Sequence, residues 1–244
     1  MPNGSRCVRF DPAGVLWVEE GRTMLVADLH LGYGWAQRRR GELGPVVEGG
    51  ARERLLGLVS VGRPERVVLV GDIVHAPRPA AEERRMIGET LEALRGRAEL
   101  VCVLGNHDRA FAEEFAEFPA VREWRTAGVR VVHGDALPEG PEEGVVTVVG
   151  HFHPVVKVKT ASGASQRMAA FLAGRGLVVL PAFSGFSMGC DMRREMPAEL
   201  REWFGADAVR AVVTDGERLL ELKIGKPKGR RGPEVPPWVR ARRG

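Results

Sequence analysis

The chain has 244 residues, 44% hydrophobic and 28% charged, with a formal net charge of +4; that is enough apolar material for a substantial core and is ordinary for a globular enzyme. No apolar run approaches the roughly 20 residues that cross a bilayer, and Met1 to Cys7 lacks the apolar core and cleavage site of a leader, so neither membrane insertion nor secretion is expected. Three scattered cysteines, Cys7, Cys102 and Cys190, argue against a disulfide framework and for a reducing compartment, with the cytoplasm as the expected location.

Along the chain, Val8 to Glu20 reads as a hairpin turning on Asp11-Pro12-Ala13-Gly14. Thr23 to Ala27 is an apolar run that stops at Asp28, the pattern of a buried strand ending at a loop. Glu48 to Val61 is helical in composition, and Arg66 to Val70 is a second buried strand ending at Gly71-Asp72. Ala80 to Arg97 is a charged helix with Met86, Ile87, Leu91 and Leu94 as its apolar stripe. Glu99 to Leu104 is a third strand, ending at Gly105-Asn106-His107-Asp108. Further strands are expected at 129–132, 145–149, 166–173 and 177–180, then a hairpin of 208–214 and 217–224 on Asp215-Gly216. Residues 223–244 carry a net +7, which leaves 1–222 at −3, and include four prolines. The expected division is one domain over 1–224 and a basic, disordered tail over 225–244.

Strands alternate with helices early, which predicts parallel crossovers, and strands dominate later, which predicts an antiparallel second sheet. The expected fold is α/β, a two-sheet sandwich flanked by helices, with the site along one rim at the strand C-terminal ends.

Five short motifs place Asp, Asn and His at those ends: Asp28-Leu29-His30, Gly71-Asp72, Gly105-Asn106-His107-Asp108, His133-Gly134-Asp135 and Gly150-His151-Phe152-His153. Five of the six histidines lie in them. In extended backbone, residues at i and i+2 point the same way, so Asp28 with His30, and His151 with His153, can each aim at one point. Mixed carboxylate, imidazole and amide-oxygen donors suit manganese, iron or zinc better than calcium. A single Asp-x-His is more often a cap or a surface pair, and Gly-Asp is often a plain turn. The five motifs in this order, each closing an apolar run, do not fit a purely structural role.

That order resembles the calcineurin-like metallophosphoesterase superfamily over residues 28–153. The resemblance implies the four-layer αββα fold and two divalent ions, with manganese first and iron, zinc or magnesium as alternatives. One ion would be held by Asp28, His30, Asp72 and His153, the other by Asp72, Asn106, His133 and His151, with Asp72 bridging. A hydroxide shared by the ions would attack phosphorus. His107 would contact the substrate phosphate as a catalytic group, and Asp108 would orient it and raise its pKa.

Further motifs, among them Arg38-Arg39-Arg40-Gly41 and Pro181-Ala182-Phe183, resemble bacterial and archaeal phosphoesterases linked to DNA ligase and helicase genes and regarded as DNA-repair nucleases. Arg40, within a loop that can fold over the ions, and Arg109 are candidate phosphate contacts. His75, three residues past Asp72, is a candidate for contact with substrate or with a ligand carboxylate. Tyr33 and Trp35 could stack a base. About 25 residues separate Gly-Asn-His-Asp from His133, too few for a cap domain, so the rim is open to a large substrate. DNA or RNA is the expected partner, with DNA-repair proteins as possible associates. The alternative is a small-molecule phosphodiesterase or phosphatase acting on nucleotides or cyclic nucleotides.

Overall fold

A computed structural model describes residues 8–18, 22–39, 41, 50–126, 128–159, 163–185, 189–224 and 239–241. Two sheets face each other, with helices on both outer sides.

The first sheet has seven strands, in the order β16 (Val239–Ala241), β1 (Val8–Phe10), β2 (Leu16–Val18), β3 (Thr23–Ala27), β4 (Arg66–Val70), β5 (Glu99–Val103) and β6 (Ala120–Val121). β1 and β2 form the expected hairpin, closed by Asp11 and Gly14, and β2 pairs antiparallel with β3. β3, β4, β5 and β6 are parallel. The crossovers between them carry α2 (Ala51–Gly62), α3 (Ala81–Arg95) and the short α4 (Phe111–Glu114). Alternation along these strands explains the two layers of core. Met24, Val26, Val67 and Leu69 pack against Leu55, Val59, Ile87 and Leu91 of the helices. Their neighbours Leu25, Ala27, Val68 and Val70 face Val129, Val131, Phe171 and Val178 of the second sheet. Strands buried on both faces read as unbroken apolar runs, which is why they are legible in the sequence.

The second sheet contains β7 (Glu123–Thr126), β8 (Val129–Val132), β9 (Val146–Val149), β10 (Pro154–Lys159), β11 (Ser165–Gly174), β12 (Leu177–Val179) and β13 (Cys190–Asp191), ordered β13-β10-β11-β12-β9-β8-β7. β14 (Val209–Thr214) pairs with β11 and with β15 (Leu219–Ile224). This sheet is mixed and not antiparallel as expected, because β8, β9 and β12 run parallel. The β10–β11 hairpin lies between β9 and β12 in the chain and turns the connection into a crossover. A third core layer joins this sheet to Leu200, Trp203 and Phe204 of α5 (Ala198–Phe204). The layers are therefore helix, sheet, sheet, helix.

One difference from the sequence reading bears on the site. Arg38 and Arg39 lie in a helix, α1 (Tyr33–Arg39), and not in a loop. Arg39 is held 2.5 Å from the fully buried Glu83 of α3, so its guanidinium ties two helices together. Arg40 and the expected helix start at Glu48 lie outside the described residues. So does the tail, except for Val239–Ala241, whose backbone pairs in parallel with β1 as β16. Among the described residues no helix is long and apolar enough to cross a membrane.

Candidate metal centre

Each motif leaves the C-terminal end of a strand: Asp28 and His30 after β3, Asp72 after β4, Asn106 and His107 after β5, His133 after β8, and His151 and His153 after β9. The loops interlock through main-chain bonds, from Asp28 N–H to Gly71 C=O (3.2 Å) and from His30 N–H to Asp72 C=O (2.9 Å). The Asp28 carboxylate then accepts the His151 N–H on both oxygens at 3.1 Å, which joins the two sheets across the site.

The backbone is bent to make this convergence. Asp28, His30, Asp72, His151 and His153 all have φ between 44° and 66°, in the left-handed region. Such residues cost roughly 1–3 kcal/mol each, a cost that the burial of one core side chain apiece, about 1.5–3 kcal/mol, can offset. Glycines make the close approaches possible. A Cβ on Gly71 would coincide with the His133 ring, and one on Gly105 would lie 2.5 Å from Asp72 Oδ1.

Two donor sets share Asp72, beside a third group, His30, His75 and His107, whose ring nitrogens also lie within 4.8 Å of one another. Asp28, His30, Asp72 and His153 each offer a ligand atom within 4.8 Å of the others, and so do Asp72, His133 and His151. Asp72 belongs to both. Asn106 Oδ1 lies 3.2 Å from His133 Nε2 and so adjoins the second set. The chemistry fits divalent cations. Asp28 and Asp72 are buried, and among the described residues neither is paired with Lys or Arg; their neighbours are imidazoles at 3.4–3.8 Å. Buried carboxylates need a counter-charge. His133 Nε2 and His151 Nδ1 stand 3.2 Å apart, and the buried Nδ1 of His30 has no hydrogen-bond partner.

Protonation follows from this packing. Burial pushes His133 down, but its hydrogen bond to Asp72 and the two carboxylate charges outweigh it and lift the imidazole to about 9. Burial likewise pushes the Asp72 carboxyl up, yet His133 and the His107 N–H hold it far below the usual range. His30 is lowered to about 4 by burial, and His151 is lowered by burial and by the charge on His133. A cation can use His133 only after its proton leaves, whereas His30 is already neutral at pH 7. Metal uptake at pH 7 should therefore release about one proton, and affinity should rise with pH until about 9. Manganese titration of metal-free protein in weak buffer measures this. No release, or equal release from His133→Asn, would contradict it.

His107 sits over this cluster but is held differently from expectation. Its main-chain N–H donates to Asp72 Oδ1 (3.0 Å), and its Nδ1 faces the His75 carbonyl at 2.8 Å. A carbonyl only accepts, so Nδ1 carries hydrogen and Nε2 is the atom left for substrate. Asp108 does not orient this ring. Its carboxylate turns back to accept the N–H groups of Gly105 (2.8 Å) and Val74 (3.0 Å), as short acidic side chains do in turns, and burial pushes its pKa up. The ring of His75 lies among those of Tyr33, His30 and His107 at 4.8–5.6 Å, so its carbonyl and its ring both meet the site. Tyr33 thus packs beside His75 at the edge of the cluster. Arg109 is exposed, and its Nε donates to the Asn106 carbonyl at 3.1 Å.

One neighbouring cation had no sequence signal. Arg54 of α2 lies 3.9 Å over the Phe183 ring and donates to the Phe183 carbonyl, and the next residue, Ser184, donates its N–H to the Asp28 carbonyl (3.2 Å). It is one of many arginines on helices, and only the return of the chain at Phe183 brings it near Asp28.

A profile of the family described as calcineurin-like phosphoesterase matches residues 21–167, which contain both donor sets. Among solved structures, the chain is similar to the nuclease MPE of Pseudomonas putida, at 22% identity over 86% of this chain and 92% of that one, with a TM-score of 0.65. It is also similar to YfcE, a phosphoesterase from E. coli, at 17% identity over 83% and 99%, with a TM-score of 0.43. At these identities the first likeness is one of fold, and the second is too loose to argue from. A comparison with curated protein sequences gave no match.

Proposed function

We propose that this chain, which belongs to the calcineurin-like phosphoesterase family, cleaves phosphodiester bonds in DNA or RNA with two divalent ions, manganese first among them. Family membership makes it a metal-dependent hydrolase of phosphoester bonds; the number of ions and the substrate are our reading. The observation that carries it is Asp72, the one carboxylate common to both donor sets. A pair of ions there would clamp the phosphoryl oxygens as Lewis acids and make water a nucleophile near neutral pH.

The chain's own groups supply the rest. Asp28, His30 and His153 would hold one ion and Asn106, His133 and His151 the other, with Asp72 shared. As an imidazolium, with its Nδ1–H held by the His75 carbonyl, His107 would present Nε2–H to a phosphate oxygen or give that proton to the departing alkoxide and become the neutral Nδ1–H ring. Exposed Arg109 lies beside Asn106, and Arg54 lies beside the Asp28 loop. Guanidinium forks suit phosphate oxygens. The open rim and the net +7 of residues 223–244 support a long polyanion over a free nucleotide.

A substrate panel with manganese-loaded protein tests the proposal. Bis(p-nitrophenyl) phosphate should be hydrolysed with higher kcat/KM than p-nitrophenyl phosphate, and a labelled oligonucleotide should be cut. Preference for the monoester, with the oligonucleotide left intact, would replace this reading with a small-molecule phosphatase.

A further inference from the structure

We infer that the β10–β11 hairpin is a docking arm for the phosphate backbone of a polynucleotide, an inference that rests on the nucleic-acid substrate proposed above. From Pro154 to Gly174 the sequence contains Lys157, Lys159 and Arg167 and no acidic residue, although residues 1–222 as a whole are net negative. β10 starts at Pro154, directly after His153, so the arm grows out of the metal centre.

The pairing register sets Lys157 directly opposite Arg167, and Lys159 opposite Ser165. Residues at i and i+2 share a face, so all three cations project from one side of the ribbon. All three are exposed. The other side holds the arm to the body, through Val156 with Val158 and Met168 in the third core layer. Like charges placed directly across a sheet repel, and among the described residues none of the three has a carboxylate partner. The acidic residue that the sheet sets beside the arm is Asp191, opposite Val155, and its carboxylate accepts the Arg193 N–H at 3.2 Å.

Arg167 is also tied to the centre. Its guanidinium donates to the Gly189 carbonyl at 2.6 Å, and the N–H of the next residue, Cys190, donates to the His153 carbonyl at 3.1 Å. Mutual repulsion next to a phosphoester-hydrolysing centre is relieved when a polyanion lies across it. A strand rise of about 3.3 Å per residue puts Lys157 roughly 13 Å and Lys159 roughly 20 Å from His153. Those positions suit phosphates beyond the scissile one. A small diester cannot reach them.

The experiment is the triple variant Lys157→Gln/Lys159→Gln/Arg167→Gln in the full chain loaded with manganese. Cleavage of a labelled oligothymidylate should fall by roughly tenfold or more in kcat/KM at moderate salt. The slope of log affinity against log salt should become shallower by about 2, at about 0.7 per lost contact on a single strand. Turnover of bis(p-nitrophenyl) phosphate should stay within about twofold. The exchange Lys157→Arg/Arg167→Lys, which keeps the charge, should retain oligonucleotide cleavage. Unchanged oligonucleotide cleavage and salt slope in the triple variant would overturn the arm. An equal fall on both substrates would overturn it too, by making the hairpin a support for His153. If the wild-type chain hydrolyses the small diester but neither binds nor cuts the oligonucleotide, the nucleic-acid reading falls first and the arm with it.

Discussion

Asp72→Asn should empty both of the proposed metal positions at once and abolish turnover, with manganese affinity lowered roughly 100-fold or more. Changes beyond the ligand shell already cost 10- to 100-fold in affinity, and this carboxylate is common to the two donor sets. The substitution is nearly isosteric and isolates charge from shape. Asn tolerates the left-handed backbone that residue 72 adopts (φ 46°), and its amide oxygen can still accept the His107 N–H. The fold should therefore survive. His133, which owes its raised pKa to Asp72, should titrate well below its value of about 9 in the metal-free variant. Elemental analysis after manganese loading, with the His133 titration followed by NMR, reads both effects. Two ions retained at wild-type affinity would remove Asp72 from the bridging role.

His107→Ala should do the opposite, leaving the metal content intact while the rate falls by about 100- to 10,000-fold, the range for a lost general acid. The separation is possible because His107 reaches Asp72 through its main-chain N–H, which alanine keeps. The ring alone is lost, and with it the Nε2 that the His75 carbonyl leaves facing outward. His151→Ala is the contrast, since it removes a donor of the second set and should lower metal occupancy. His30, His75 and His107 also offer nitrogens within 4.8 Å of one another. If His107→Ala loses metal as readily as His151→Ala, His107 is a ligand and the division of labour fails.

The donor residues were legible because their chemistry is local. An apolar run such as Thr23–Ala27 declares a strand buried on both faces, and a polar residue directly after it sits at a strand end whatever the rest of the chain does. Motifs of i and i+2 mark residues that can converge, but their division into two donor sets is what the family resemblance implied, and the backbone that brings them together is left-handed and not extended. The two-sheet sandwich with flanking helices followed from the same runs, since alternating strands and helices force parallel crossovers, whereas the parallel strands of the second sheet did not. The short elements were not legible. α1 is seven residues long, without an acidic residue in its first turn, and reads as loop. Its anchors are tertiary: Gly34 and Ala36 are buried, and Arg39 pairs with the buried Glu83, 44 residues further on.

What the sequence by itself determined is which residue types stand at the strand ends, and hence that a cluster of carboxylate, imidazole and amide donors must form. Only the tertiary structure decided what holds them. Asp108 was expected to orient its neighbour His107, but its carboxylate is taken by the main-chain N–H groups of Gly105 and, from across the fold, Val74. The His75 carbonyl takes its place, brought there by a loop 32 residues away in the chain. Arg54 meets Phe183 across 129 residues, and Lys157 meets Arg167 through a register set by the hairpin. Spacing within a motif is fixed by covalent geometry and is written in the sequence. A partner across the fold is chosen by packing, where several donors compete for one acceptor and the closest unhindered one wins.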